Sequence, residues 1–122
     1  MLFLILQNCS NNIKLIFCRS KIASSGIPLF RHSAALIDGI MYIMGGNNHN
    51  ESTTVRNTNC YSNQIFAFDT ICKKFLNIST KEFDLIGRYG HDAISDGKNI
   101  FVVGGFDGRT LNDVLKFTPG KN

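Results

Sequence analysis

The sequence has no tryptophan, only two prolines, and no apolar run longer than residues 1–6. A membrane-spanning helix needs about 20 such residues, so none is expected here. Residues 1–6 also lack a basic leader and give way at once to Gln7 and Asn8, which argues against a signal peptide and for a strand. Charge of one sign is never concentrated. Thirteen Lys and Arg face nine Asp and Glu, for a net +4, and only Lys73 and Lys74 are adjacent. Such scattered cations form a solvated surface, and no nucleic-acid partner is expected. No Cys-x-x-Cys pair occurs, which argues against zinc-ribbon and redox readings. There is no Gly-x-Ser-x-Gly elbow and no Cys/His nucleophile pattern. No carboxylate or Cys shares the spacing of the three histidines, so no metal centre is expected. No catalytic residue and no cofactor follow from these patterns.

What remains is a foldable chain of 122 residues, 43% hydrophobic and 18% charged, with eleven Gly and ten Phe. It repeats itself. Residues 31–46 align with 90–105 at an offset of 59: His32 with His91, Ala34 with Ala93, Tyr42 with Phe101, and Gly45-Gly46 with Gly104-Gly105. Downstream, Asn63-Gln64-Ile65-Phe66 aligns with Asn112-Asp113-Val114-Leu115 at an offset of 49. The difference of 10 is an insertion between Gly46 and Asn63, and the underlying unit is 49 residues long. A weaker copy at offset 62 sets Leu4, Leu6 and Ile13 under Phe66, Phe68 and Phe75.

Within a unit, apolar runs of strand length alternate with turn signals, and no segment holds a helical period. Strands are expected over 32–37, 40–44, 64–68 and 73–78, with Asp38-Gly39 as a tight hairpin turn. The second unit repeats three of them, over 91–95, 100–103 and 113–117. Residues 3–6 and 13–17 read as two further strands. Four antiparallel strands make one propeller blade. The fold class is therefore all-β, a partial propeller of about two and a quarter blades. Residues 1–27 form a degenerate half-blade and linker, 28–80 a complete blade with an inserted loop at 47–62, and 81–122 a second blade without its fourth strand. A closed ring takes about four to eight blades, so the remaining blades of a longer parent chain are expected. Tyr42, Phe66, Phe68, Phe75, Phe101 and Phe117 are expected at blade–blade contacts.

With its Gly-Gly pairs, the preceding His-x-Ala and the following Asn-x-aromatic strand, the chain resembles kelch repeats. The insertion narrows the likeness. Gly45-Gly46-Asn47-Asn48-His49-Asn50, then Asn59-Cys60-Tyr61-Ser62, then a strand followed by Cys72, is similar to one blade of attractin and its multi-EGF-domain relatives, as is Arg88-Tyr89-Gly90-His91. The resemblance implies a propeller interaction module in an extracellular receptor or adhesion-type glycoprotein, with a protein or glycan ligand. Departures are Leu29 where the second unit has Arg88, and Phe75 where kelch repeats carry a tryptophan.

The candidate residues follow from these readings. His32, Gly45, Gly46, His91, Gly104 and Gly105 recur at fixed repeat positions, as structural residues do. Asn50, Asn77 and Asn8 begin Asn-x-Ser sequons, and Asn50 sits in the long polar loop where a glycan fits. Cys60 and Cys72 are the candidate disulfide. An extended five-residue strand spans about 17 Å and a disulfide needs Cα atoms within about 7 Å, so that bridge requires the loop to fold back over the blade. Arg56 and Tyr61 in the loop are the candidate partner contacts, because Arg and Tyr dominate interface hot spots. Two rival readings are a cytosolic kelch adaptor of the ubiquitin-ligase or cytoskeletal kind and, remotely, a copper-oxidase propeller. The latter needs converging Tyr and His ligands, whereas the three tyrosines are Tyr42, Tyr61 and Tyr89, and Tyr42 reads as a packed strand residue.

Overall fold

Tight turns and short antiparallel runs organise the chain. A computed structural model describes Ser24, Gly26 and residues 29–47, 61–78 and 85–120. It contains seven strands and, among the described residues, no helix: β1 (Ser33–Ile37), β2 (Ile40–Met44), β3 (Ile65–Asp69), β4 (Lys74–Leu76), β5 (Asp92–Ser95), β6 (Ile100–Phe106) and β7 (Thr110–Phe117). They form two antiparallel meanders, β1-β2-β3-β4 and β5-β6-β7. Asp38 and Gly39 both take positive φ (48° and 78°), as the primed two-residue turn between β1 and β2 requires. In the β3–β4 turn, the Asp69 carboxylate accepts the amides of Ile71 and Cys72, both at 2.8 Å. Thr70 ties this turn to the first hairpin by donating both its amide and its hydroxyl to the Gly39 carbonyl. The turn between β5 and β6 is closed by Asp96, which accepts the amides of Lys98 and Asn99 and the Asn99 side-chain amide. The expected strands over residues 3–6 and 13–17 lie outside the described residues.

Register decides which side chains share a face, since opposite residues on paired strands point the same way. In the first sheet Ala35, Tyr42 and Ala67 are aligned across three strands. In the second, Ser95, Ile100 and Phe117 are aligned likewise. These two faces meet, with β1 beside β5. Between them lies the core, in which Met44, Ala67, Leu85, Ile100 and Val102 are fully buried. Burying the four larger side chains contributes about 1.5–3 kcal/mol each. Tyr42 meets Phe117 edge-on at 5.7 Å across the joint.

The remaining expected contact residues lie on the faces turned away from this joint. Phe66, Phe68 and Phe75 lie on the opposite face of the first sheet and pack on one another, at 6.3 Å (Phe66–Phe75) and 5.2 Å (Phe68–Phe75). Phe101 lies on the outer face of the second sheet, in register with Ile94 and Lys116. Period-2 alternation assigns these residues to a face but not to a neighbour.

The Gly-Gly pairs were expected to end the second strand of each unit. In the first unit β2 does stop at Met44, and pairing resumes only as isolated bridges, Phe30 with Asn47 and Asn47 with Tyr61. In the second unit the pair lies inside β6 as a bulge between Val103 and Gly105. Tyr89 bridges Phe106, and Phe106 pairs with Thr110. Phe30, Asn47 and Tyr61 are the repeat counterparts of Tyr89, Phe106 and Thr110, so the geometry is shared. The insertion is thereby located: residues 48–60 stand where the second unit has the three-residue turn 107–109.

Candidate functional site

Two features concentrate the unusual side chains: the joint between the sheets and the edge from which the inserted loop leaves.

At the joint, the Gly45-Gly46 pair does two jobs, and Gly105 repeats one of them. A Cβ on Gly46 would lie 3.0 Å from the His32 Cβ and 3.1 Å from the Phe30 carbonyl. On Gly105 it would lie 2.9 Å from the His91 Cβ and 3.0 Å from the Tyr89 carbonyl. The second glycine therefore seats the histidine of its own unit. Gly45 seats the histidine of the next unit. A Cβ on Gly45 would stand 2.6 Å from His91 Cε1 and 2.7 Å from the Arg88 carbonyl. His91 Nε2 lies 3.1 Å from the Met44 carbonyl oxygen. That oxygen can only accept, so Nε2 carries the proton and the buried Nδ1 is a bare acceptor without a partner. Burial, chiefly, pulls the His91 pKa below 6.5, and Arg88 and His32 add repulsion against the hydrogen bond and Asp92.

Arg88 fastens the same joint from within. Its side chain is fully buried and holds Asp113 bidentately, at 2.7 and 2.9 Å. It also donates to the carbonyls of Gly104 and Ile86. Its own carbonyl accepts the Gly46 amide at 2.8 Å, so one residue links β6 and β7 to the first unit. The Arg88 hydrogen bond holds the Asp113 carboxyl below the usual carboxylate range. The Arg88 guanidinium is engaged with backbone carbonyls and with Asp113, and this arrangement is structural.

The loop-bearing edge is different. Tyr61, Tyr89 and Phe106 form a half-buried triangle with ring centroids 5.3, 5.5 and 6.2 Å apart. The exposed Arg31 guanidinium lies 5.7 Å from the Tyr89 ring centroid, a cation–π contact. Tyr61 closes the neck of the loop through its bridge to Asn47. Its carbonyl runs so close to Gly87 that a Cβ there would stand at 2.5 Å.

The expected site residues thus divide. His32 is exposed, and His91, Gly45 and Gly46 are buried in the joint. Gly104 and Gly105 are half-buried. Asn77 is exposed just after β4. Tyr61 is half-buried against the second unit, so part of its surface is already occupied. Asn8, Asn50, Arg56 and Cys60 lie outside the described residues. The expected Cys60–Cys72 bridge is corrected: Cys72 is a free, exposed thiol on the β3–β4 turn. Physically, that turn lies at the end of β3 away from Tyr61, the separation that already made the bridge demanding. Among the described residues no three His, Cys, Asp or Glu converge as metal ligands.

Sequence reasoning missed Asp113, Arg31, Tyr89 and Phe106. For Asp113 a signal existed: Arg88 and Asp113 occur together in one unit, and Leu29 and Gln64 replace both in the other.

Comparison with known proteins agrees with this geometry. The chain is 35% identical over 102 residues to protein tag-53 of Caenorhabditis elegans, covering 84% of this chain and 8% of that protein. It is 29% identical over 92 residues to rat Kelch domain-containing protein 3, covering 73% of this chain and 24% of that protein. The human protein of that name matches at 29% over 91 residues, with the same 24% covered. The chain spans at most about a quarter of the length of these relatives. The family model of the Attractin/LZTR1 beta-propeller matches residues 14–115. Two meanders with repeated His and Gly-Gly positions, joined face to face and matched over that range, place the chain in the Attractin/LZTR1 beta-propeller family.

Proposed function

We propose that the chain is a non-catalytic protein-interaction module whose contact surface is the loop-bearing edge. The supporting observation is the cluster of Tyr61, Tyr89, Phe106 and Arg31 at the neck of the inserted loop. Half-exposed aromatics beside an exposed arginine are what interface centres are made of. A loop of thirteen residues in place of three does nothing for the sheet, and its two ends, Asn47 and Tyr61, pair beside that cluster. In this reading the chain belongs to an extracellular attractin-like propeller of a receptor or adhesion-type glycoprotein, its ligand is protein or glycan, and the remaining blades belong to a longer parent. Asn50 and Asn77 carry glycans.

The test is to replace residues 48–60 by Asp-Gly-Arg, the turn of the second unit, in the full-length protein. Partner binding falls while folding survives. Unchanged binding makes the loop a spacer and removes the basis of this reading. Arg56→Ala and Tyr61→Ala each weaken binding on the same view.

A second reading, a cytosolic kelch adaptor, is favoured by one observation: the free, exposed thiol of Cys72, which suits a reducing compartment. Glycosidase treatment of protein from cells separates the two. A mobility shift abolished by Asn50→Gln and Asn77→Gln supports the extracellular reading, and no shift supports the adaptor.

A further inference from the structure

The loop-bearing edge contains one backbone position that stability alone does not explain. Arg31 holds φ 55°, in the left-handed region, and its repeat counterpart Gly90 holds φ 66°. Glycine occupies that region without steric cost, whereas a Cβ is crowded there. A strained position filled by a large side chain points to a use for that side chain. Arg31 is exposed, and its guanidinium lies over the Tyr89 ring, 5.7 Å from the centroid. Among the described residues it meets no carboxylate, since the ion pair they form is that of Arg88 with Asp113. A guanidinium held over a ring keeps its N–H fork in its own plane, where a carboxylate can bind bidentately. The ring contact also orders the long side chain beforehand, so less rotamer freedom is lost on binding.

The surroundings supply the rest of a binding surface. Tyr61 comes from the first unit, Tyr89 and Phe106 from the second, and their rings lie half-exposed beside this cation. The cluster is therefore built within the chain, by contacts between its two units. The turn that follows Phe106 carries a second exposed arginine, Arg109. The acid of the same turn, Asp107, is half-buried and accepts the Arg109 amide at 3.1 Å. Its carboxylate closes the turn and forms no ion pair with the Arg109 side chain. Apolar ring surface is thus accompanied by two exposed cations, while the neighbouring acid is turned to its own backbone.

We propose that this surface binds a peptide segment in which an Asp or Glu stands next to an apolar side chain, the carboxylate meeting Arg31 and Arg109 and the apolar side chain lying on the rings. This partner class rests on the loop-bearing edge being the contact surface. Charge complementarity selects the occupant. A polyanionic glycan needs cations in a dense row, and the adjacent pair of the sequence, Lys73-Lys74, lies where β3 turns into β4, at the end of β3 away from Tyr61. An uncharged partner would leave the guanidinium fork without an acceptor, and a cationic one would be repelled. A carboxylate beside an apolar side chain uses the fork and the rings together.

Selection of phage-displayed random peptides on the immobilised full-length protein tests this. The recovered peptides are expected to be enriched in Asp and Glu beside Phe, Leu or Ile. The affinity of synthetic copies, read by fluorescence anisotropy, falls about tenfold in the double variant Arg31→Ser with Arg109→Ser. Reselection on Arg31→Glu with Arg109→Glu replaces the acids by Lys and Arg, a reversal that a damaged fold cannot produce. Both positions are exposed, and an unchanged circular dichroism spectrum checks the fold. Acid-rich peptides that bind the charge-reversed protein equally well overturn the proposal, because another surface holds them. Recovery of peptides without acids overturns it too, as does binding of a heparin oligosaccharide with no peptide enriched. Neither of these last results touches the proposed function, which is read separately by the loss of partner binding on loop replacement.

Discussion

The two sheets carry one plan executed with different tightness. In the second, Arg88 and Asp113 clamp the base, a three-residue turn closes β6 onto β7, and pairing runs unbroken through the glycine bulge. In the first, Leu29 and Gln64 replace the clamp, thirteen residues replace the turn, and pairing past the glycines survives only as single bridges. The difference teaches where each unit carries its specialised parts. The second unit is fastened from within, and the first is opened at one edge to display a loop. The joint serves both, because His91 and Arg88 belong to the second unit but grip the backbone of the first.

The comparison predicts its largest contrast at one repeat position. Gly45→Ala puts a methyl group onto His91 and the Arg88 carbonyl, at a left-handed φ of 61°. Overpacking of about 1–3 kcal/mol adds to about 1–2 kcal/mol for the backbone. Gly104→Ala, at φ 60° but facing only the Leu111 carbonyl at 3.2 Å, pays mainly the second term. Urea denaturation of the two variants measures the gap. Equal losses would mean that the joint does not press on Gly45. The next contrast is the clamp. Asp113→Ala removes the carboxylate from the buried Arg88, which keeps its two backbone carbonyls, and because Asp113 is 36% exposed the loss is about 1–3 kcal/mol. Gln64→Ala, at the same repeat position on an exposed site, changes stability by no more than about 0.5 kcal/mol.

Acid should act on the second unit first. The pKa of His91 is lowered, so the folded chain binds its proton more weakly than the unfolded chain. Its contribution to stability is complete above the ordinary value of 6.5 and is lost as pH falls through the lower folded value. Protonation would also give Nδ1 a buried proton with no acceptor. His91→Gln, whose amide can still donate to Met44, removes this dependence, while His32→Gln leaves it. Asp96 titrates in a separate window: its carboxyl, held to about 2 chiefly by Asn99, contributes above the ordinary 3.8 and is lost as pH falls through about 2. Thermal melts from pH 7 to pH 2 (about five units, spanning both ranges) would show two steps, and only the upper one depends on His91.

Much of this was legible because it repeats. Two copies of His-x-Ala and Gly-Gly, one insertion and a period of 49 suffice for the fold, the hairpins and the position of the loop. What repetition cannot reveal is which neighbour a residue meets. Gly45 and Gly46 look alike in sequence, yet one seats the next unit's histidine and the other its own. Phe66 and Phe117 both alternate correctly, and only packing puts Phe117 in the joint. Asp113 was readable only as half of a pair present in one unit and absent in the other. Arg31 was not readable at all, since its meaning lies in a backbone angle.

That angle sets the smallest contrast. Arg31 has φ 55°, and its repeat counterpart Gly90 has φ 66°, where glycine is at ease. The Arg31 carbonyl accepts the Gly90 amide at 2.9 Å, which ties the two positions together. Holding a side chain in this region costs about 1–2 kcal/mol, and an exposed cation–π contact to Tyr89 returns about 0.5–1 kcal/mol. Arg31→Gly is therefore expected to be neutral or stabilising by up to about 1 kcal/mol, while Gly90→Ala destabilises by about 1–2 kcal/mol. If Arg31 is there for recognition, the glycine variant raises the melting temperature or leaves it unchanged, and it weakens partner binding. A variant that loses stability instead would show that the Arg31–Tyr89 contact holds the edge together, and that arginine at this position serves the fold.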